Sequence, residues 1–254
     1  MEISALASGS SGNCFYVGDG KNSVLIDAGI SCKQIVERLG MINKSPENIN
    51  AIFITHEHTD HIRGADVFAR TFSVPIFATK KTSQSGFLCS DGEKVNKIKN
   101  NETVKIGNLN VETFSKSHNA SDPVFFKIEA KKKVSVITDL GYPCQNVKDA
   151  ISDSDFICLE SNHDINMLEQ GPYPYFLKKW IKSDSGHLSN LQSSICVLEY
   201  ARKKLKNIML SHLSEINNTP KIALSSFKIL RERYDLDTKI SLSTREKPTH
   251  LIKI

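Results

Sequence analysis

The sequence has little of what would staple a small fold or hold one in a membrane. Its six cysteines, Cys14, Cys32, Cys89, Cys144, Cys158 and Cys196, include no CxxC pair, which excludes a zinc ribbon and the dense framework of small secreted domains. No apolar run approaches the roughly 20 residues that a membrane span requires. The opening MEISALASGSSGN lacks a basic start followed by a long apolar block, so no secretory leader is expected. Internal repeats, low-complexity tracts and long Pro/Gly/Ser linkers are also missing, which disfavours a repeat array or two tethered domains. GSSG at residues 9–12 is no G-x-S-x-G elbow, and no cysteine has the local sequence of a nucleophile, so serine or cysteine catalysis finds little support. What remains is 254 residues, 39% hydrophobic and 24% charged, ordinary for a chain able to bury a substantial core. We read it as a single domain over residues 1–254, in the cytoplasm.

Short β-rich runs alternate with turn signals: FYVGDG, SVLIDAG, AIFIT, VPIFAT, NLNVETF, VFFKIEA, KVSVITD, DFICLES, NIMLSH and HLIKI, several of them bounded by Gly, Asn or Asp as strand ends are. Helical patterns interrupt them. Ser31 with Gln34 forms a capping box for a helix carrying Ile35, Val36 and Leu39, with Gly40 as its stop. Ser189 with Gln192 opens another, in which Leu191, Ile195, Leu198, Ala201 and Leu205 recur at spacings of three and four as an inward face. Two sets of strands with interspersed helices fit a sheet sandwich with helices on its outer faces.

ITHEHTDH, residues 54–61, follows the buried-strand pattern AIFIT. His56 and His58, two apart on extended backbone, can point one way, while Asp60 and His61 reach a neighbouring point, so one turn can serve two adjacent cations. Imidazole with carboxylate suits zinc, manganese or iron rather than calcium. Further ligand types close other strands: His118 after NLNVETF, Asp139 at the end of KVSVITD, His212 at the end of NIMLSH. Each leaves a sheet edge where a side chain can reach a shared cleft.

These segments, THEHTDH, His118, ITDLG with Asp139, and LSH with His212, resemble the ordered motifs of the metallo-β-lactamase superfamily over nearly the whole chain. The resemblance implies an α/β (α+β) fold, a four-layer αβ/βα sandwich, and two divalent metal ions (zinc, manganese or iron). By position, His56, His58 and His118 would hold one ion and Asp60, His61 and His212 the other, with Asp139 bridging. Asp27 in SVLIDAG matches the superfamily's first motif, where an aspartate supports the ligands from behind. Such a pair implies a hydroxide nucleophile and a hydrolase, with Asp60, Asp139 and His187 as the catalytic set.

The substrate must be read from the surroundings. LASGSSGN, ESNHD (160–164), GPYPYFLKKWI and GHLSN resemble, in the same order, the YycJ/WalJ branch of the superfamily, associated with DNA exonuclease activity. The GHLS element is also similar to the histidine motif of its phosphodiesterase branches. His187 stands before a helix start, where free N–H groups and the dipole favour phosphate, and it could donate a proton to a leaving alkoxide. We take Ser10, Ser11, Asn13, His163, His187 and Ser189 as substrate-binding candidates and DNA as the expected substrate, without a membrane and with no oligomeric state implied. Tyr173, Tyr175, Phe176 and Trp180, interleaved with Lys178, Lys179 and Lys182, fit either an amphipathic helix docked on the core or a surface that stacks bases. The net charge of +5 decides nothing between a solvated face and a polyanion contact. Two other functions stay open: hydrolysis of a β-lactam or thioester, disfavoured by Asp139 where many zinc lactamases place cysteine, and a regulatory binding protein with non-catalytic metals.

Overall fold

Each β-rich run read from the sequence contains a strand in the computed structural model, which describes residues 1–234 and 238–254. The chain divides into two units: Met1–Ser115 with Ala120–Lys133 and Thr244–Ile254, and Lys116–Asn119 with Val134–Ser243.

In the first unit, β1 (Glu2–Ala7), β2 (Cys14–Gly18), β3 (Ser23–Ile26), β4 (Ala51–Phe53), β5 (Ile76–Thr79) and β6 (Val95–Ile98) lie side by side in that order. β1, β2 and β3 pair antiparallel, whereas β3 through β6 run parallel. The residues of β3 and β4 are all buried, as befits parallel strands covered on both faces. One cover is helical. Ile35 and Leu39 of the helix Cys32–Met41 and Phe68 of Ala65–Thr71 share a core with Leu25, Ile52 and Ile76. The other is sheet: β7 (Thr103–Ile106), β8 (Leu109–Ser115) and β9 (Val124–Glu129) pair antiparallel, and Phe126 of β9 meets Phe53 of β4 edge-on at 5.3 Å.

In the second unit, β10 (Lys133–Ile137), β11 (Phe156–Glu160), β12 (Asn207–Ser211) and β13 (Lys239–Leu242) run parallel. Their carboxyl ends therefore share one edge, where α/β sheets present functional groups. The last strand, β14 (Ile252–Lys253), returns to the first unit and pairs with β1. Among the described residues no helix is long and apolar enough to cross a membrane.

Two helices differ from the sequence reading. Both expected capping boxes form, at Ser31–Gln34 and Ser189–Gln192, but Gly40 lies inside the helix Cys32–Met41, which closes two residues later on Ile42. The helix after Ser189 spans Asn190–Tyr200, so Leu205 lies beyond it, and its inward face is the other one. Ser193, Cys196 and Val197 are buried while Leu191 and Ile195 face solvent. Hydrogen bonds choose that face: Ser193 Oγ donates to the Glu160 carbonyl, and Asn190 exchanges amide bonds with Asn218.

Candidate metal centre

The residues of ITHEHTDH leave the carboxyl end of β4, with His58 capping the short helix Thr59–Ile62. Asp60 and His61 thus project from a helical turn rather than an irregular loop. The neighbouring parallel strand, β3, ends just before Asp27, whose carboxylate lies fully buried beneath this turn. It accepts from Thr55 N at 2.8 Å and Thr55 Oγ1 at 2.9 Å, and it faces His61 Nδ1 at 2.7 Å. With Nδ1 turned to Asp27, which already accepts twice from Thr55, His61 presents Nε2 on its other side. By the same logic His56 Nδ1, 2.9 Å from Thr55 Oγ1, donates to a hydroxyl already committed to Asp27. His56 Nε2 then converges with His58 Nδ1 to 3.0 Å. That is close to the roughly 3.3 Å between two nitrogens each about 2.0–2.1 Å from one tetrahedral ion.

Close backbone approach holds this turn in place. A Cβ on Gly29 would meet the Asp60 carbonyl oxygen at 1.6 Å, so no other residue fits there. Ala28 N donates to the His61 carbonyl and Asn13 N to the Asp60 carbonyl, at 2.8 and 2.7 Å. The Asn13 amide stands 3.1 Å from His61 Nε2 and 3.3 Å from Asp60 Oδ2 while bonding Gly9. Glu57, between two of the histidines, turns away and accepts from Ser121 N and Oγ.

The second unit gathers another set. Asp139 lies two residues past β10, Glu160 ends β11 and His212 follows β12. Asp139, Glu160, His187 and His212 each offer a ligand atom, all within 4.8 Å of one another. Asp139 Oδ1 also lies 3.8 Å from His118 Nε2. Glu160 was absent from the sequence candidates, although ESNHD contains it, and it organises this cluster. Its Oε1 faces His212 Nδ1 at 2.8 Å and His187 Nδ1 at 2.9 Å and accepts from Asp139 N at 3.2 Å. Its Oε2 accepts from Leu140 N at 2.8 Å and Leu188 N at 3.0 Å. Burial alone would raise its carboxyl pKa, but His187 and His212 hold it below the ordinary value. With Nδ1 committed to Glu160, His212 carries its lone pair on Nε2, as a ligand must. His118 is likewise set, because Nδ1 lies 3.2 Å from the Gly186 carbonyl, and burial first of all lowers its pKa to about 3. Neutral imidazoles with oriented lone pairs, beside carboxylates, are the donor set that divalent transition ions take.

Asp27, Asp139 and His212 share an uncommon backbone, with φ of 61°, 55° and 56°. Non-glycine residues in the left-handed region cost on the order of 1 kcal/mol each and concentrate at functional sites.

The remaining candidates divide by exposure. Ser10 and Ser11 stand in an exposed turn beside the buried Asn13. His163 and Ser189 are buried together by a backbone bridge. The Ser189 hydroxyl belongs to its capping box, and His163 Nδ1 has no hydrogen-bond partner among the described residues.

The sequence model of the metallo-β-lactamase superfamily matches residues 7–117. Among curated proteins, the chain is 38% identical over 229 residues to the exodeoxyribonuclease WalJ of Streptococcus pneumoniae serotype 2, covering 88% of this chain and 85% of that one. It is 34% identical over 240 residues to the exodeoxyribonuclease YycJ of Bacillus anthracis, covering 92% and 90%. Among solved structures, the metallo-β-lactamase fold protein YhfI of Bacillus subtilis superposes with a TM-score of 0.71 at 12% identity, covering 98% of both chains.

Proposed function

This chain belongs to the metallo-β-lactamase superfamily, with its αβ/βα sandwich fold, and to the YycJ/WalJ-like branch of metal-dependent nucleases; from that premise we propose that it hydrolyses DNA phosphodiester bonds from an end. Two divalent ions, when bound, supply an activated water and neutralise charge developing on the phosphoryl oxygens.

In this reading His56, His58 and His118 would hold one ion and Asp60, His61 and His212 the other, with Asp139 shared between the two sets, within one hydrolase domain over residues 1–254. Asp27 and Glu160 orient imidazoles. Each bonds the Nδ1 of a ligand histidine, which keeps the ring turned and raises its basicity. His187 bonds the same Glu160 and is only partly buried. With Nδ1 held by a buried carboxylate, the ring presents Nε2 to a phosphoryl oxygen or to the leaving alkoxide. Ser10, Ser11 and Asn13 line the small-residue turn where backbone N–H groups approach a phosphate. A cytoplasmic setting agrees with the six cysteines, all free thiols.

The observation that carries a phosphodiester over an acyl substrate is the Glu160–His187 pair, a proton donor suited to a leaving alkoxide. The test is to offer metal-loaded protein end-labelled DNA, bis-p-nitrophenyl phosphate and nitrocefin, with His58→Ala as control. Hydrolysis of both phosphodiesters, lost in the variant, is expected; nitrocefin cleavage with intact DNA contradicts the reading.

A further inference from the structure

Two arginines bracket the turn that residues 8–13 make beside the helix Thr59–Ile62. Gly12 N donates to the Gly9 carbonyl at 3.0 Å, so Ser10 and Ser11 form the tip, both exposed. Among the described residues neither of their N–H groups finds an acceptor. Asn13, wholly buried, fixes the turn from beneath: Oδ1 accepts from Gly9 N at 3.0 Å and Ser8 Oγ at 3.2 Å, and Nδ2 donates to the Gly9 carbonyl at 3.2 Å. The same amide stands against Asp60 and His61, so the tip keeps a set position beside these candidate ligands.

Arg63 caps the helix Thr59–Ile62, and its exposed side chain donates from Nη1 to the Ser11 carbonyl at 3.3 Å. No carboxylate pairs with it among the described residues. Arg245 comes from the other direction. Its carbonyl accepts from the buried Arg38 Nη1 at 2.8 Å, and Ser8 N donates to the neighbouring Thr244 carbonyl at 3.0 Å, which seats residues 244 and 245 along the start of the turn. A Cβ on Gly9 would meet Arg245 Nε at 2.9 Å and Cγ at 3.0 Å, so glycine there lets the Arg245 side chain lie across the turn. Gly9 also takes a φ of 141°, which any other residue would strain to adopt. Two guanidinium groups and two uncommitted N–H groups thus surround one exposed tip, all of them carried by the first unit.

We propose that Ser10, Ser11, Arg63 and Arg245 hold a phosphate of the DNA strand next to the one being hydrolysed. The proposal rests on the nuclease reading above and adds where the rest of the strand is gripped. The two serines came from the sequence; the two arginines come from the fold. Guanidinium forks and backbone N–H groups match the oxygens of a phosphate. They touch no base edge, so the grip is the same whatever the sequence.

The test compares Arg63→Gln and Arg245→Gln with Arg63→Lys and Arg245→Lys in the full, metal-loaded chain. Anisotropy follows binding of a fluorescent phosphorothioate duplex over a range of salt concentrations. Turnover is measured on end-labelled DNA and on bis-p-nitrophenyl phosphate, a diester with no neighbouring phosphate. Each glutamine variant should bind the duplex about five- to tenfold more weakly, with a salt slope smaller by about one. The ratio of kcat/KM for DNA to that for the small diester should fall by the same factor. Lysine variants should keep the wild-type slope, because the charge is retained. Glutamine variants with wild-type affinity and slope overturn the proposal. So does an equal loss on both substrates, which would make the arginines braces of the histidine turn. Failure of the nuclease reading is separate: wild type would leave unmodified end-labelled DNA intact whatever these affinities are.

Discussion

Glu160 and His212 form a buried carboxylate–imidazole pair, Oε1 to Nδ1 at 2.8 Å, on the carboxyl ends of adjacent parallel strands. The same carboxylate reaches His187 and three backbone N–H groups, so one side chain sets the orientation of a proposed metal ligand and of the proposed proton donor.

Glu160→Gln tests that arrangement. The five donors meeting the carboxylate need acceptors on both oxygens, and an amide offers one oxygen while turning N–H groups against the rest. We expect a loss of about 2 kcal/mol in stability and a 10- to 100-fold weaker hold on the metal, read by urea denaturation and calorimetric metal titration. Metal affinity equal to wild type would remove Glu160 from this role.

Gly29→Ala tests whether close backbone approach holds the histidine turn. The added methyl meets the Asp60 carbonyl at 1.6 Å, so the turn carrying Asp60 and His61 must move. A cost of roughly 2–3 kcal/mol is expected, with weaker metal binding alongside. A variant as stable as wild type would mean that the turn is soft.

Acid should destabilise the metal-stripped protein before its carboxylates titrate. Burial lowers the pKa of His163 to about 4 and that of His118 to about 3, against about 6.5 unfolded. Between pH 6.5 and 4 the unfolded chain takes up protons that these folded sites refuse, so stability falls as pH falls, by about 1.4 kcal/mol per pH unit for each histidine. His163→Gln, measured by denaturant titration across this window, should show a slope shallower by about that amount. Parallel slopes would contradict a neutral buried His163.

Much of the candidate site was legible because ligand types closing β-rich runs must emerge at sheet ends, and parallel pairing brings those ends to one edge. Asp139 and His212 were found that way. Glu160 was not, although it closes a strand too, because its importance comes from the five donors that converge on it only in the folded chain. The left-handed φ of Asp27, Asp139 and His212 went unread because Asp and His tolerate that conformation without requiring it. Both capping boxes were visible, since they are local. The inward face of the helix Asn190–Tyr200 was misread because counting Leu191 and Ile195 ignores that Ser193 and Asn190 find partners at the sheet edge. The strands Glu2–Ala7, Val95–Ile98, Thr103–Ile106 and Lys239–Leu242 went unread for a similar reason, several mixing polar residues that only tertiary pairing supports.

The central claim is tested most directly by titrating chelator-stripped protein with manganese or zinc and following mononucleotide release from end-labelled DNA against metal equivalents. Release should be absent from stripped protein, rise to a plateau at two equivalents, and stay absent in His58→Ala. Digestion by the stripped protein, or a variant that digests like wild type, would contradict a dinuclear centre built on these histidines.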